Sequence, residues 1–316
     1  MENLAYCPNC KSPKNREIFK GVDESTSLDR NKLSIRYVFC EGCSLVYANP
    51  RLDENDLSRV YDDDYHDECG CESTPEGKKP TESFVQDRLR VAVERFHYLQ
   101  ENNIFDAFAH PNKSFLEIGS GAGFLLNVFK SNGWKVQGLE PTPLADIASH
   151  SGVPTRRSFF DPKLFEGQKF DLIGLMHVFE HLPDPGAFLS QIKTLLTPQG
   201  CLWLEIPYVL HPRPLDLQNA HLFFYSMNTI RSTLSRFGFK VLHCQPYNSR
   251  NAAFQVLHAF AVPESEALWS QKDTFEQVDS VIKNAFAIDR KKKEYAKLGQ
   301  LYASIEERNK SIEILR

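Results

Sequence analysis

Three features of the sequence predict an α/β fold with a doubly wound, mostly parallel sheet. From Phe115 to Val262, short apolar runs of strand length alternate with segments whose apolar residues recur at helical spacing, and this alternation builds parallel sheets. One junction, Phe115-Leu116-Glu117-Ile118-Gly119-Ser120-Gly121-Ala122-Gly123-Phe124, reads as a buried strand, a turn with glycine at every second position, and a helix start. Two C-x2-C pairs, Cys7/Cys10 and Cys40/Cys43, mark an attached metal-binding module ahead of that domain. The domain plan is a zinc-ribbon module over residues 1–50, a lid with covering helices over 51–112, the ligand-binding domain over 113–263, and a C-terminal helical or coiled-coil segment over 264–316.

Four thiolates from two knuckles surround one tetrahedral ion and leave no open position, so the predicted zinc is structural. Pro8 and Gly42 suit the knuckle turns, and the 29 residues between the pairs contain strand-like Arg36-Tyr37-Val38-Phe39. A module this small has little core, and metal binding would supply much of its folding energy. A redox C-x-x-C would open a helix after a strand, which neither pair does. Cys69 and Cys71 lie in an acidic loop, and Cys201 and Cys244 lie in apolar strand contexts as packed thiols.

After the module come a short acidic helix with Tyr61 and Tyr65, then a polar, flexible loop or lid over 67–82. Leu89, Val93, Phe96, Leu99 and Phe105 predict one or two helices over 84–108. The core then reads strand 115–118, helix 124–132, strand 135–139, helix 144–151, a weak strand within 153–160, strand 170–176, helix 182–196, strand 200–206, helix 228–237, and strands 240–246 and 253–262. That makes seven strands, with ligands expected at their carboxyl ends. Beyond Phe275, Leu298, Ile305 and Ile312 are spaced seven apart, as are Tyr295, Tyr302 and Asn309. This heptad seam predicts a long helix that either joins a second copy of the chain or folds back on its own domain.

Composition narrows the function classes. The chain has 316 residues, 41% hydrophobic content and a net charge of −4. This mildly acidic balance argues against nonspecific nucleic-acid binding. No signal-peptide core and no membrane-spanning apolar run is visible, so the expected location is cytoplasmic. In that reducing compartment the eight cysteines are thiols or metal ligands.

The glycine turn separates two ligand classes. A dinucleotide site wants G-x-G-x-x-G, but Phe124 stands where that spacing continues. Glu117, two residues before the first glycine, would repel a pyrophosphate and suits a ligand with a positive end. E-x-G-x-G-x-G resembles motif I of class I S-adenosylmethionine (SAM) methyltransferases, which implies a Rossmann-like seven-stranded fold and SAM as cofactor. Glu117, Gly119, Gly121 and Gly123 would hold it. Glu140, 17 residues after Gly123 at the end of the second core strand, can accept hydrogen bonds from both ribose hydroxyls. Asp161 is the candidate partner of the adenine amino group, and His177 belongs to the same cofactor-binding set.

His177-Val178-Phe179-Glu180-His181-Leu182-Pro183-Asp184-Pro185 resembles the loop after the fourth strand in methyltransferases of the ubiquinone-biosynthesis type. Asp184-Pro185 is itself a helix start. Ala220-His221-Leu222-Phe223-Phe224-Tyr225-Ser226 resembles the H-x-x-x-F-S segment of sugar methyltransferases that also carry an N-terminal cysteine module. Ala220 replaces the glutamate found there in C-methylating members, which turns the expectation toward oxygen or nitrogen. The resemblance runs over about residues 5–262 and implies transfer to a small polar acceptor, most plausibly a nucleotide-linked sugar or a surface-polysaccharide unit. A quinone-type O-methyltransferase and an RNA methyltransferase gripping RNA through the zinc ribbon are the alternatives. Removing the acceptor's proton calls for a base that titrates near neutrality, and His181 or His221 fills that role, with Glu180 orienting one of them. Tyr65, Tyr208 and Tyr225 are candidate acceptor contacts.

Overall fold

The computed structural model describes residues 1–22, 34–53, 55–57, 71–74, 77–108, 113–212, 216–248, 255–264 and 271–284. Its centre is a seven-stranded sheet built from β6 (Ser114–Ile118), β7 (Lys135–Glu140), β8 (Thr155–Arg157), β9 (Phe170–Met176), β10 (Leu196–Pro207), β12 (Phe239–Asn248) and β13 (Gln255–Pro263). The order is β12-β13-β10-β9-β6-β7-β8. β13 runs antiparallel to both neighbours, while β10, β9, β6, β7 and β8 are mutually parallel. This is the Rossmann-like arrangement of class I methyltransferases. All seven residues of β9 are buried, as expected for a central parallel strand covered on both faces. The order reverses between β6 and β9, so the crevice at their carboxyl ends is the topological switch point where such sheets bind ligands.

Helices cover both faces. The helix Glu82–Glu101 starts on Thr81, whose side chain accepts the Phe84 N–H, and its buried Phe96 packs edge-on against Phe129 of the helix Phe124–Ser131. The helix Pro185–Leu195 starts on Asp184, whose carboxylate accepts the Ala187 N–H at 2.9 Å, with proline at the first helical position. Cys201 and Cys244 are buried thiols. Among the described residues, no helix is long and apolar enough to cross a membrane.

The cysteine module is joined to the domain more closely than a separate 1–50 unit would be. Its strands β1 (Asn15–Val22), β2 (Ser34–Cys40) and β3 (Val46–Ala48) form an antiparallel sheet whose fourth strand is β11, Phe223–Phe224, contributed from beyond β10. Cys7, Cys40 and Cys43 share one continuous apolar cluster with Leu116, Leu175 and Leu204 of the large sheet. The helical stretch 275–284 returns to the same module. Phe275 packs edge-on against Phe39 with the Arg16 guanidinium 3.6 Å from its ring centre, and Val278 and Ile282 are buried.

One expectation differs from the observed elements. Within the expected loop 67–82, β4 (Cys71–Thr74) and β5 (Gly77–Pro80) pair as an antiparallel hairpin. Its short polar strands carry no apolar alternation that would announce them. The heptad seam from Tyr295 to Ile312 lies outside the described residues.

Candidate active site

The site forms where β6, β7 and β9 end. After β6, Gly119, Gly121 and Gly123 all take positive φ, a conformation that costs a side-chain-bearing residue energy. A Cβ on Gly119 would stand 2.3 Å from Val178 of the loop after β9, so the two loops can touch only because that side chain is missing. A Cβ on Gly121 would meet only Leu144, at 3.9 Å, and would point into open space. That space is a cavity of about 760 Å³. Small-molecule sites typically have ~300–1,000 Å³.

One half of the cavity is lined by Glu117, Gly119, Ser120, Gly121, Glu140 and His177. Glu140 accepts the Gly121 N–H at 2.8 Å and both the N–H and hydroxyl of Thr142, at 3.0 and 2.6 Å. These bonds fix its carboxylate at the rim of the glycine turn. Glu117 is buried, and its Oε2 has no hydrogen-bond partner. Burial pushes its carboxyl up to about 8, against the pull of Arg95 and helped by the charges of Glu140 and Glu205. A buried carboxylate with an unused acceptor atom is suited to a cationic ligand group.

Beneath this half lies a buried charge network that the sequence reading did not anticipate. Arg95 donates through Nε to Glu205 Oε2 at 2.9 Å and through Nη2 to Oε1. Nε2 of His177 and Nε2 of His258 each stand 3.2 Å from Glu205. His177 has φ +57°, and its Nδ1 lies 3.4 Å from Glu180. Burial alone would discharge this imidazole, but Glu180 and Glu205 outweigh it and raise it to about 9. Flanked by a carboxylate at each nitrogen, the half-buried His177 is held as a cation at neutral pH and is unsuited to act as a base. Burial works against Glu205 as well, yet Arg95 and His177 hold it well below the usual carboxylate range. Neither Arg95 nor Glu205 sits in a motif, and pairing them takes a helix before the core and its fifth strand.

The other half of the cavity is walled by Leu57, Phe84, Phe160, Leu182 and Phe188, with Arg88 and His181 as polar groups. His181 Nδ1 lies 2.8 Å from the Ala220 carbonyl, which can only accept, so Nδ1 carries the proton and Nε2 the lone pair. Burial, then the neighbouring His221, lowers its pKa to about 4, so the ring is neutral near pH 7. His221 stands behind it, 4.7 Å between ring centroids, with Nδ1 2.6 Å from the Asp216 carbonyl and Nε2 3.2 Å from the Gln218 amide. Glu180 is fully buried, and neither carboxylate oxygen accepts a hydrogen bond.

Three candidates are placed elsewhere. Asp161 does not line the cavity, and one oxygen of its carboxylate caps the following turn by accepting the Lys163 N–H at 2.9 Å. Its neighbours Ser158, Phe159 and Phe160 do line it. Tyr208 and Tyr225 are buried away from the cavity, with Tyr225 packed against Phe179, 5.5 Å between ring centroids. They pack between the sheet and the cysteine module and do not line the cavity. Tyr65 lies outside the described residues.

The four cysteines meet as expected from their spacing. Cys7 and Cys43 sulfurs lie 3.7 Å apart and those of Cys10 and Cys40 3.5 Å apart, all four within 4.8 Å of one another. A tetrahedral ion with metal–sulfur bonds of ~2.3 Å requires sulfurs about 3.8 Å apart, so these residues could hold one.

Comparison with known proteins finds methyltransferases. The chain is 26% identical to the C-methyltransferase NovU of Streptomyces niveus over 161 residues, covering 48% of this chain and 38% of that protein. It is 34% identical to a ubiquinone biosynthesis O-methyltransferase of Rhodopseudomonas palustris over 130 residues, 38% of this chain and 47% of that one. The matches therefore span less than half the length of these curated relatives. Among solved structures, the magnesium protoporphyrin IX methyltransferase of Synechocystis with bound SAM superposes with TM-score 0.47 at 18% identity, over 69% of this chain and all of that one. The glycopeptide N-methyltransferase MtfA with SAM gives 0.41 at 17%, over 52% of this chain and 92% of that one. Residues 84–244 match the family described as a methyltransferase domain, and the chain belongs to that family.

Proposed function

We propose that this chain transfers the methyl group of SAM to a hydroxyl or amine of a small acceptor. The observation that carries the reading is the continuity of the cavity. A half with Glu117, the fixed Glu140 carboxylate and a glycine turn runs into a half with aromatic walls and a neutral histidine. Glu117 would accept the amino acid ammonium and Glu140 the ribose hydroxyls, while Ser158 and Phe159 would border the adenine. SAM, when bound, supplies an electrophilic methyl group, and transfer needs two things from the protein, alignment and removal of the acceptor's proton.

We assign the proton to His181 on its position, although burial and His221 hold its pKa at about 4, below the near-neutral titration expected of the base. Its carbonyl-fixed tautomer presents Nε2 as the acceptor atom, and it lines the cavity, whereas His221 lies behind it. Glu180, 3.9 Å from His181 Nε2, would stabilise the imidazolium that forms. The acceptor we favour is sugar-containing, a nucleotide-linked sugar or a polysaccharide unit. That choice rests on the cysteine module combined with the His221 segment, and the aromatic walls are suited to stacking on a sugar face. A phenolic, quinone-type acceptor suits the same walls. The four cysteines would bind one structural zinc.

Calorimetry with S-adenosylhomocysteine tests the cofactor half. The parent should bind, and Gly121→Val, which fills the open space over the turn, should weaken binding at least tenfold. No binding to the parent would overturn the reading. Turnover assays with nucleotide sugars, phenols and RNA then choose among acceptors.

A further inference from the structure

We infer that Tyr37 of the cysteine module is a positioning residue for the histidine pair, so that the module belongs to the working parts of the acceptor half. This rests on the reading of that half as the acceptor site. The geometry is a short chain of contacts. Cys40 and Cys43 form the knuckle that joins β2 to β3, and closing it sets the hairpin register Tyr37↔Ala48, Val38↔Tyr47, Phe39↔Val46. From β2, the phenol oxygen of Tyr37 lies 2.7 Å from the carbonyl of Gln218 and 2.7 Å from that of His221. From β3, the Ala48 N–H donates to the Leu222 carbonyl at 2.9 Å, and Tyr47 and Val46 pair with Phe223 and Phe224. The segment carrying His221 is thus held by both strands of the hairpin that the Cys40/Cys43 knuckle closes. On its other side, the Leu222 N–H donates to the Glu180 carbonyl at 2.9 Å, and the Ala220 carbonyl takes His181 Nδ1. Orientation of His181 therefore depends on residues 218–222, and their position depends on β2 and β3.

None of these contacts reaches the cofactor half. Glu117, the glycine turn and Glu140 stand on β6 and β7, and Glu140 is fixed by Gly121 and Thr142. Loss of Tyr37's hydroxyl should therefore loosen the histidine side and leave cofactor binding intact. Tyr37 is fully buried among Phe224, Val46 and Ile35, so phenylalanine keeps the packing and removes only the oxygen.

The test uses the full chain with its metal in place, Tyr37→Phe against the parent. Backbone amide exchange in residues 216–222 should be at least tenfold faster in the variant, with β6 and β7 unchanged and S-adenosylhomocysteine affinity within twofold. The second reading is the His181 ring titration by NMR. Its facing groups are His221, Glu180 and His177, and its low value reflects burial and His221. Release of His221 should move it upward from about 4 toward the usual imidazole range. Chelator-stripped parent should show both changes, again with cofactor affinity retained. Parent-like exchange and an unmoved His181 titration in Tyr37→Phe, with metal content unchanged, overturn the inference. These readings need no methyl transfer, so they fail separately from the proposed reaction. Loss of cofactor binding by the variant would equally overturn the inference, because it would show that the module supports the whole fold and not the acceptor half.

Discussion

Arg95 and Glu205 form a two-pronged ion pair across 110 residues of sequence, with Glu205 buried and Arg95 half-buried in the wall of the ligand cavity. The pair is balanced within a larger set in which Glu205 also faces His177 and His258. Removing one member leaves the others buried and uncompensated, which typically costs ~3–5 kcal/mol. Arg95→Met should therefore lower unfolding stability by about that much, measured by urea denaturation. Arg95→Met combined with Glu205→Gln should cost less than the two single losses added together. Additive losses would mean that the two side chains do not act as a pair.

The same network makes stability depend on pH. Burial opposes the His177 charge, but Glu180 and Glu205 raise its pKa to about 9, above its usual value. A raised pKa means that this contribution is fully present below the unfolded value near ~6.5 and is lost as pH climbs through about 9. Denaturation midpoints should fall between pH 7 and 9.5 in the parent and fall less in His177→Gln. A slope unchanged by the substitution would show that His177 is not the group responsible.

Glu117 gives a cofactor-linked prediction. Burial first, then the charges of Glu140 and Glu205, raises it to about 8, so at pH 7 most molecules carry it protonated. Pairing with a ligand ammonium requires the carboxylate, so binding S-adenosylhomocysteine at pH 7 should release about one proton. Calorimetry in buffers of different ionisation enthalpy reads that proton directly. Glu117→Gln should bind more weakly and release none. Equal proton release by parent and variant would remove Glu117 from the ammonium role.

The cysteine cluster is tested by metal content. Purified parent should contain one zinc per chain, and Cys40→Ser should lose it together with protection of β2 and β3. Metal-free parent of normal stability would show that the thiols pack without an ion.

Much of the fold was legible in the sequence, since a buried strand such as Phe170–Met176 and an amphipathic helix such as Phe124–Ser131 carry their periods locally. The glycine turn and the four cysteines were legible because each demands a residue type that little else can replace. What escaped was set by distant partners. Phe223–Phe224 is too short to read as a strand and becomes one only by pairing with β3. Arg95 looks like any helix-surface cation until β10 brings Glu205 beneath it. Asp161 caps the next turn through one carboxylate oxygen and does not line the cavity, a placement set by the folded loop. Tyr225 reads as a ring available for stacking, but β11 buries it against the module.

The last prediction concerns the proton. His181 lines the cavity with its tautomer fixed by the Ala220 carbonyl, and His221 stands behind it without reaching the cavity. The two should therefore differ when removed. Losing a general base typically costs ~10²–10⁴ in rate, so His181→Ala should lose most turnover on a verified acceptor, with cofactor affinity retained. His221→Ala should lose less, since it removes a supporting ring and leaves Nε2 of His181 in the cavity. The pH profile separates proton transfer from simple orientation. In the parent, the acidic limb should follow His181 protonation, which burial and His221 displace downward to about 4. Without His221, that limb should move toward higher pH, because one of the influences lowering His181 is gone. If His181→Ala keeps turnover within about tenfold of the parent, the histidine is not the base. Transfer would then rest mainly on alignment, and an acceptor that ionises more readily than a sugar hydroxyl, such as a phenol, would fit the aromatic walls better.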